Sequence, residues 1–368
     1  MKVLFLYLKA FSFTGGIEKF NRCFLKALHE LSIEGIIDAH AISAYDNKTD
    51  EKYFHRQRFK GWGGNRIFFS IHALIASFRY STVILGHINL SLVGCLIRIF
   101  RPDTRIILIV HGIEVWKRLG GAKLKMLQTC DLVLSVSEFT KSKIIEYNSD
   151  IVAGRIKVFP NTIDPYFNFP ADFEKPKSLF DRYQIKLEEN VLLTITRLSS
   201  SEKYKGYDHV IEALSDQRLK DFKIKYLLCG KADDKEHLRI QKLINDKGLQ
   251  NIVQLPGFVA EKELTDHYLL ADVFVMPSKK EGFGIVFIEA LACGLKVIAG
   301  SKDGSREALM HGELGKLIDP DSIEELIQAL VESFEQNEVK RMPLQKKMKE
   351  NFGFQVYKEN LQRYLAEL

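Results

Sequence analysis

Cysteine is scarce in this sequence, and the cysteines present follow no metal-binding or redox pattern. The 368 residues contain five of them, with no CxxC pair: Cys23, Cys95, Cys130, Cys229 and Cys293. Each lies in an apolar stretch, where a cysteine is typically a small buried side chain in a reducing compartment. The pattern argues against a disulfide framework and predicts a cytoplasmic location.

Long apolar runs are missing as well. The first ten residues, MKVLFLYLKA, are interrupted by Lys9 and contain no small-residue cleavage site, so they predict a buried strand rather than a signal peptide. The longest candidate elsewhere, residues 67–78, lies between Arg66 and Arg79. It is shorter than the ~18 apolar residues that cross a bilayer, so no transmembrane segment is predicted.

Charge is unevenly distributed along the chain. Residues 1–164 contain 23 Lys and Arg against 14 Asp and Glu, whereas the remainder contains 30 against 33. A basic first half suggests an anionic partner for that half, although a chance distribution of solvated surface charge would give the same count. No recognised nucleic-acid-binding motif accompanies the charge, so nucleic acid is not an expected partner.

The chain alternates short apolar runs with amphipathic segments. The runs read as strands at residues 2–8, 82–88, 105–112, 132–137, 191–198, 223–230, 252–257, 272–278 and 295–300. Continuous apolar strands are typical of parallel sheets covered on both faces by helices. The segment 17–31 shows the spacing of three and four expected for such a helix. The fold class is therefore α/β.

A break near residue 165 predicts two doubly wound domains. Three prolines fall in residues 159–170, and the charged stretch up to Asn190 resembles a linker before the strand pattern restarts. We expect domains at 1–165 and 166–350, followed by a final helix within 351–368, from roughly residue 354. In open α/β sheets ligands bind beyond the carboxyl ends of the strands, so two facing domains would form a ligand-binding cleft.

Several loops after predicted strands of the first half contain candidate ligand-binding residues. Gly15 and Gly16 open the first helix, where glycines allow a phosphate to approach the backbone and helix amides favour anions, although an ordinary loop turn carries equal weight. His111 lies at the carboxyl end of the strand predicted at 105–112, with Glu114 close behind. A lone histidine is more often structural, but one at a strand's carboxyl end is a candidate ligand-binding group. Asn161 is either a turn residue or a contact in the cleft.

In the second half, two cations share one such loop. Arg197 lies at the end of a strand, and Lys205 precedes Gly206 and a new helix. Arginine binds a phosphate bidentately and lysine acts as a point charge, so the pair predicts a diphosphate site. Ordinary surface charge is the alternative.

The stretch KKEGFGIVFIEALACG, residues 279–294, adds two carboxylates to this set. Glu281 stands before the bend Gly282–Gly284, and the helix that follows begins with backbone amides suited to phosphate oxygens. Glu289 lies about one and a half turns into that helix, where an unpaired carboxylate would be costly to bury. Alcohols such as ribose hydroxyls are natural partners for it. Together these loops predict a site for a nucleotide diphosphate that bears a polyhydroxylated group.

These motifs resemble those of the retaining glycosyltransferase family 4, also called glycosyl transferases group 1. The resemblance rests on E-G-F-G-(x)4-E, Gly15-Gly16, His111, the Arg197 and Lys205 pair, PN.ID and the GFV at residues 257–259, and it covers nearly the whole chain. It implies the GT-B fold: two Rossmann-like domains that face each other across a cleft, the first for the acceptor and the second for the donor. It also implies that the C-terminal helix crosses back to the N-terminal domain.

The resemblance implies roles for individual residues. Glu281 and His111 would contact the transferred sugar, Arg197 and Lys205 would neutralise the diphosphate, and Glu289 would bind the ribose. The remaining donor-binding positions are Gly15, Gly16, Gly230, Gly257, Phe258, Val259, Gly282, Phe283, Gly284, Ile285 and Val286. Fixed positive charge at the leaving group makes a metal or other cofactor unnecessary. Asp319-Pro320-Asp321 lies in the segment LIDPDSIEEL, which is interpreted as a turn and an N-cap before a helix rather than as a metal site.

The expected substrates are a nucleotide diphosphate sugar, with UDP favoured over GDP, and a glycan or lipid-linked acceptor in cell-surface glycoconjugate synthesis. The basic and aromatic segment 53–69 suggests a peripheral contact of the first domain with an anionic membrane at the inner face of the cell membrane. An ordered loop that packs its aromatics locally is the alternative. A nucleotide-sugar epimerase on the same fold and a non-catalytic nucleotide-sugar-binding subunit are the competing functions.

Overall fold

The computed structural model describes residues 1–12, 15–148, 150–336 and 340–367. The described strands are β1 (Lys2–Tyr7), β2 (Asp38–Ser43), β3 (Phe59–Gly61), β4 (Thr82–Leu85), β5 (Arg105–Val110), β6 (Leu132–Ser135), β7 (Ile156–Val158), β8 (Asn190–Ile195), β9 (Ile224–Cys229), β10 (Val253–Gly257), β11 (Val273–Met276), β12 (Lys296–Gly300) and β13 (Lys316–Ile318). The described helices are α1 (Gly16–Ile33), α2 (Arg66–Ser77), α3 (Ser91–Phe100), α4 (Gly121–Thr129), α5 (Glu138–Tyr147), α6 (Lys177–Tyr183), α7 (Tyr207–Ala213), α8 (Asp234–Asp246), α9 (Leu264–Leu270), α10 (Ile285–Ala292), α11 (Ser305–Ala308), α12 (Ile323–Glu335), α13 (Arg341–Phe352) and α14 (Phe354–Ala366).

The chain divides into two compact units. The first consists of Met1–Pro165 together with Phe352–Leu368, and the second of Tyr166–Asn351. Each unit is built on a parallel sheet, as the continuously apolar strands predict.

The first unit contains a seven-stranded sheet in the described part of the chain, in the order β3-β2-β1-β4-β5-β6-β7. Strand β1 is parallel to both β2 and β4, so the strand order reverses at β1. Its side chains from Val3 to Tyr7 are fully buried, because helices cover both faces of the sheet. Such a reversal opens a crevice at the carboxyl ends of the two diverging strands.

The terminal helix α14 packs against α1 within the first unit. Tyr357 of α14 is buried, with its ring 4.3 Å from that of Phe159 and 6.1 Å from that of Phe20. The Lys358 ammonium donates to the carboxylates of Glu30 and Glu34 at 3.1 and 2.7 Å. The end of the chain therefore completes the core of the first unit.

The second unit repeats the pattern with six strands among its described residues, in the order β10-β9-β8-β11-β12-β13. Its strand order reverses at β8, which is parallel to both β9 and β11. The crevice at the carboxyl ends of β8 and β11 is therefore the expected ligand site of this unit.

Three sequence-based expectations need correction. The segment predicted to be a linker contains helix α6, whose Leu179 is buried. Strands β2, β3, β7 and β13 were not predicted, because β2 carries Asp38 and His40 among small residues and the other three have only three residues each. The last helix ends at Ala366, and Leu368 lies outside the described residues.

Among the described residues, no helix has both the length and the apolar character that would let it cross a membrane.

Candidate functional site

The predicted donor residues of the second unit lie where its strand order reverses. Arg197 and Lys205 follow β8, and Glu281 follows β11, its neighbour in the sheet. Because the carboxyl ends of parallel strands meet at one edge, the two loops are adjacent although they are separated by 76 residues of sequence.

Lys205 and Glu281 form an ion pair with each other. The Lys205 ammonium donates to Glu281 Oε1, and the two side chains are only 15% and 13% exposed. Burial lowers the pKa of Lys205, but the negative charge of Glu281 and its hydrogen bond outweigh that effect, so the net pKa is raised above its ordinary value. A permanent positive charge is therefore held in a largely dry location.

Two backbone contacts fix Lys205 in this position. Gly206 adopts a φ of 81°. A Cβ there would collide with the carbonyl oxygen of Pro277, the residue directly after β11. The Lys279 amide donates to the Tyr204 carbonyl at 2.9 Å. The loop after β8 is thus joined directly to the loop after β11, which aligns the ion pair.

Asp303, which was not among the predicted site residues, anchors the Glu281 turn from a third loop. Its Oδ2 accepts from the Glu281 amide at 2.7 Å and its Oδ1 from the Ser305 amide at 2.9 Å, while the Gly304 amide donates back to the Glu281 carbonyl at 2.9 Å. Complete burial and the nearby Glu281 charge raise the pKa of Asp303 to about 7. The residue lies after β12 and has no recognisable local motif.

Arg197 does not share a carboxylate with Lys205. Its guanidinium pairs with Glu202 on the same loop, and its side chain is 71% exposed. The positive charge of Arg197 nevertheless repels that of Lys205, and this repulsion offsets a small part of the increase in the pKa of the lysine. The predicted cationic pair is therefore one buried, fixed lysine with a solvent-facing arginine nearby.

The amino end of α10 follows the Glu281 turn directly. Gly284 is its N-cap and has no side chain to cap the first amides, which belong to Ile285 and Val286. Uncapped amides and the helix dipole favour an anion at this end. Phe283 in this turn is buried, and a Cβ at Gly304 would collide with the Gly282 carbonyl oxygen.

Glu289 is almost completely buried, with 3% of the residue exposed. Its Oε2 accepts from the Tyr268 hydroxyl at 3.0 Å. Burial, with the adjacent Glu289 charge as the next cause, raises the pKa of that tyrosine well above its usual range. A neighbouring hydroxyl donor stabilises a buried carboxylate, so Glu289 has at least one partner within the protein.

The predicted base-binding positions come together at the ends of β9 and β10. The Gly230 amide donates to the Gly257 carbonyl at 2.8 Å. Gly230 has a φ of 153°, and a Cβ there would collide with the Thr196 carbonyl oxygen, so glycine is required by this close approach. Phe258 is 59% exposed beside them, whereas Val259 is buried.

In the first unit, the loop after β1 leads to Gly15 and Gly16; its residues Phe13 and Thr14 lie outside the described residues. Asp46 anchors the start of this loop, since its carboxylate accepts from the amides of Ala10 and Ser12 at 2.7 and 2.9 Å. Gly15 is the N-cap of α1, and a Cβ at Gly16 would meet no atom within 4 Å. The first turn of α1 is therefore open at Gly16.

His111 is held by its surroundings at the end of β5. Its Nε2 lies 2.8 Å from the Gly86 carbonyl oxygen and so carries a proton, while its amide donates to Glu114 Oε1 at 2.5 Å. Burial lowers the pKa of His111. The neighbouring His87, with its ring 5.8 Å away, has its pKa lowered to about 4 by burial and by His111. Both imidazoles are neutral at neutral pH.

Asn161 and the DxD sequence complete the predicted positions. Among the described residues, Asn161 Oδ1 is buried without a hydrogen-bond partner. Asp319 and Asp321 pair with Lys302 at 2.7 and 2.8 Å, and Ser322 of the same segment is the N-cap of α12. No group of three or more His, Cys, Asp or Glu side chains with metal-binding geometry occurs within the described ranges.

A cavity of about 430 Å³ in the second unit lies away from these residues. It is lined at the amino ends of β8, β9 and β10 by residues that include Lys220, Lys223 and Lys225. Because it occupies the opposite edge of the sheet, it does not belong to the predicted donor site.

Two family models match the chain, one in each half. Residues 177–352 match the family described as glycosyl transferases group 1, and residues 14–167 match glycosyltransferase family 4. Over 240 residues the chain is 31% identical to the GDP-mannose-dependent alpha-(1-6)-phosphatidylinositol monomannoside mannosyltransferase of Mycobacterium tuberculosis. That alignment covers 62% of this chain and spans 60% of the relative's length.

Solved structures share the whole architecture at low sequence identity. Anabaena HepE in complex with UDP superposes with a TM-score of 0.80 at 19% identity, with all of both chains covered. The sucrose-phosphate synthase of Thermosynechococcus elongatus superposes with a TM-score of 0.79 at 17% identity, over 100% of this chain and 99% of that one. The two family matches lie one on each unit, and both units have the predicted Rossmann-like sheets. The chain therefore belongs to glycosyltransferase family 4, the glycosyl transferases group 1, and has the GT-B fold.

Proposed function

We propose that the protein is a retaining, metal-independent glycosyltransferase. It transfers a sugar from a nucleotide diphosphate sugar to a glycan or lipid-linked acceptor in cell-surface glycoconjugate synthesis. It acts at the cytoplasmic side of the membrane as a peripheral protein.

The buried Lys205–Glu281 ion pair is the observation that supports this proposal best. A nucleoside diphosphate leaving group develops negative charge, and a preorganised cation stabilises that charge more in a water-poor site than in solution. Lys205 supplies such a cation, Arg197 adds a second, and the first amides of α10 add fixed dipoles. Glu281, held by Asp303, presents a carboxylate that can accept hydrogen bonds from sugar hydroxyls.

The first unit contributes the other groups of the proposed site. Neutral His111 and the open start of α1 at Gly16 are assigned to the transferred sugar and the diphosphate, and Glu114 positions His111 through its amide. Asn161 Oδ1, which is buried without a partner among the described residues, is assigned to a polar substrate group. Glu289 is assigned to the ribose, and Gly230 and Gly257 to the base.

UDP and GDP are both candidates for the nucleotide part of the donor. The Mycobacterium relative is named as GDP-mannose-dependent, whereas the HepE structure contains UDP. A ligand that binds only the folded state raises the thermal midpoint, so a thermal-shift titration with UDP-sugars and GDP-sugars identifies the base. We then expect acceptor-dependent release of that nucleotide, with the donor anomeric configuration retained in the product and with undiminished turnover in EDTA.

The first prediction concerns the ion pair itself. Replacing Lys205 alone would leave Glu281 buried and unpaired and could unfold the protein, so the test is the double variant Lys205→Met with Glu281→Gln, which removes both charges together. We expect turnover to fall by at least about a hundredfold, as for loss of a preorganised charge at a leaving group. Nucleotide release in the presence of acceptor is the measurement.

The matched control removes an exposed pair from the same unit. Lys242 and Asp246 form an ion pair on the surface of α8, so Lys242→Met with Asp246→Asn changes the same two charges away from the site. Its turnover should remain normal. Normal turnover in the Lys205/Glu281 variant would refute the assigned site. Conversion of the sugar nucleotide into another sugar nucleotide without acceptor would instead identify an epimerase.

A further inference from the structure

The outward surface of helices α2 and α3 is apolar, although it is exposed. Eight large apolar side chains there are between 50% and 73% exposed: Ile67, Phe68, Ile71, Ile75, Phe78, Leu92, Ile99 and Phe100. We call this set the α2–α3 face. Monomeric proteins rarely leave so many large apolar side chains together in water, and such patches mark interaction surfaces.

Helical geometry gathers these residues on one side. The exposed Ile67, Ile71 and Ile75 of α2 recur at intervals of four, and Phe78, directly after the helix, continues the same stripe. The opposite stripe, which includes Phe69 and Ala73, is buried in the core of the first unit. Helix α2 is therefore apolar on both sides, and core packing accounts for only one of them.

Helix α3 extends the same surface. It packs beside α2 and turns Leu92 and Ile99 outward, while Val93 and Ile97 are buried. The Arg101 guanidinium, just after α3, lies 5.3 Å from the centre of the Phe78 ring, just after α2. Two neighbouring helices thus present one continuous apolar surface.

The segment of the chain that contains this face carries charge of one sign. Residues 52–102 contain eight Lys or Arg and no Asp or Glu. Lys60, Arg66, Arg79 and Arg101 flank the face, and among the described residues none of these four pairs with a carboxylate. Trp62, an amphipathic side chain, stacks on Phe68 with ring centres 5.7 Å apart.

We propose that the α2–α3 face is the surface by which this protein docks onto an anionic membrane, with its apolar side chains among the lipid acyl chains and its cations at the phosphates. An apolar stripe flanked by Lys and Arg is the composition of an interfacial helix. The inference rests on the proposed peripheral attachment and assigns it to particular residues. The attachment was predicted from residues 53–69. Tyr53 and Phe54 at the start of that segment are buried, and only its end, which forms the first turn of α2, belongs to the proposed inserting surface.

Charge favours a membrane over a second copy of the chain. A symmetric dimer through this face would bring the same cations of both copies together with no acidic residue of the segment to offset them. An anionic leaflet supplies the complementary charge instead. The same cations therefore oppose self-association and favour lipid.

The test is vesicle co-sedimentation of the full chain with and without Ile71→Glu combined with Ile75→Glu. Both positions are exposed and glutamate is a good helix former, so the fold should persist. We expect the partition onto vesicles of equimolar phosphatidylcholine and phosphatidylglycerol to fall by about tenfold or more, because buried apolar area sets the strength of interfacial binding. Arg66→Gln combined with Arg79→Gln should weaken binding to these vesicles about fivefold per charge.

The matched control is Leu187→Glu combined with Leu238→Glu. These leucines are 89% and 66% exposed in the second unit, and their replacement adds the same charge. We expect less than about a twofold change, since added charge far from the leaflet is screened. Nucleotide release with a soluble acceptor should be unchanged in all these variants, because the donor residues lie elsewhere.

Three results would overturn the proposal. Absence of vesicle binding by the natural sequence would refute peripheral attachment while leaving glycosyl transfer intact. Binding that survives Ile71→Glu with Ile75→Glu would show that another surface attaches. A lipid-free dimer that this variant converts to monomer, measured by light scattering, would show that a second copy covers the face.

Discussion

At the scale of single residues, the buried carboxyl group of Asp303 makes the stability of the fold depend on pH. Its carboxyl group accepts the amides of Glu281 and Ser305 while it is buried close to the Glu281 charge, and its pKa is raised to about 7. An ordinary aspartate has a pKa near 4, which is the value expected for the unfolded chain. The folded state therefore binds this proton more tightly than the unfolded state does.

This shift determines how stability depends on pH. A raised folded-state pKa contributes stability that is fully present below about pH 4 and is lost as the pH rises through about 7. In Asp303→Asn the group no longer titrates, so we expect a flatter decline in the free energy of unfolding between these pH values. Lower stability overall is also expected, because an amide offers one acceptor where the carboxylate offers two. Urea titrations at several pH values measure both effects.

Asp246→Asn serves as the control for this experiment. Asp246 lies on the exposed surface of α8 in the same unit, with its side chain 57% exposed, and its replacement should leave the pH dependence unchanged. If Asp303→Asn shows the same pH dependence as the natural sequence, the proton is not held at Asp303.

At the scale of elements, a substitution at the start of α1 can distinguish an effect on ligand binding from an effect on packing. A Cβ at Gly16 would meet no atom within 4 Å, and alanine is favoured over glycine in a helix by about 1 kcal/mol. We expect Gly16→Ala to keep or slightly raise the thermal midpoint. If this end of α1 receives the donor, turnover should nevertheless fall by about tenfold or more, because small displacements of bound substrate are costly.

Gly154→Ala is the matched control, because Gly154 is in the same unit and its Cβ would also meet no atom within 4 Å. Its turnover should be normal. Equal turnover in Gly16→Ala and the natural sequence would place the substrate away from the start of α1.

The elements also show which features the sequence could predict. Strands such as β1 and β11 were predicted because their apolar runs record burial on both faces. Strands of three residues, such as β7 and β13, carry too few side chains for a period to be visible and depend on hydrogen bonds from a neighbour. Helix α6 was missed because it is short and lies in a charged segment.

The residues of the candidate site also divide into those that the sequence could predict and those that it could not. Lys205 and Glu281 were predictable because each stands at the end of a strand, and topology brings such ends together. Asp46 and Asp303 were not, because each acts by accepting backbone amides from a loop 22 or more residues away. A contact between residues that lie so far apart leaves no pattern in the local sequence. These two carboxylates can therefore be identified only from the folded chain.

At the scale of the whole molecule, the two units can be observed separately. Both tryptophans, Trp62 and Trp116, belong to the first unit, so intrinsic tryptophan fluorescence reports the unfolding of that unit alone. Circular dichroism reports both units, because each contains a helix-covered sheet. The groups proposed to bind the nucleotide, among them Glu289, Gly230 and Lys205, lie in the second unit, with the exception of the start of α1 at Gly16.

A nucleoside diphosphate should therefore shift the two signals differently. At a free concentration of about 100 times its Kd, UDP or GDP contributes about 2.7 kcal/mol to the stability of the unit that binds it, which corresponds to roughly 5–10 °C for a unit of this size. In circular dichroism we expect the transition of the second unit to rise by that amount, while the tryptophan transition rises much less, because the first unit is proposed to contribute only Gly16 to the nucleotide. In Lys205→Met with Glu281→Gln the shift should disappear. A tryptophan transition that rises equally would show that the units unfold together or that the first unit holds the nucleotide.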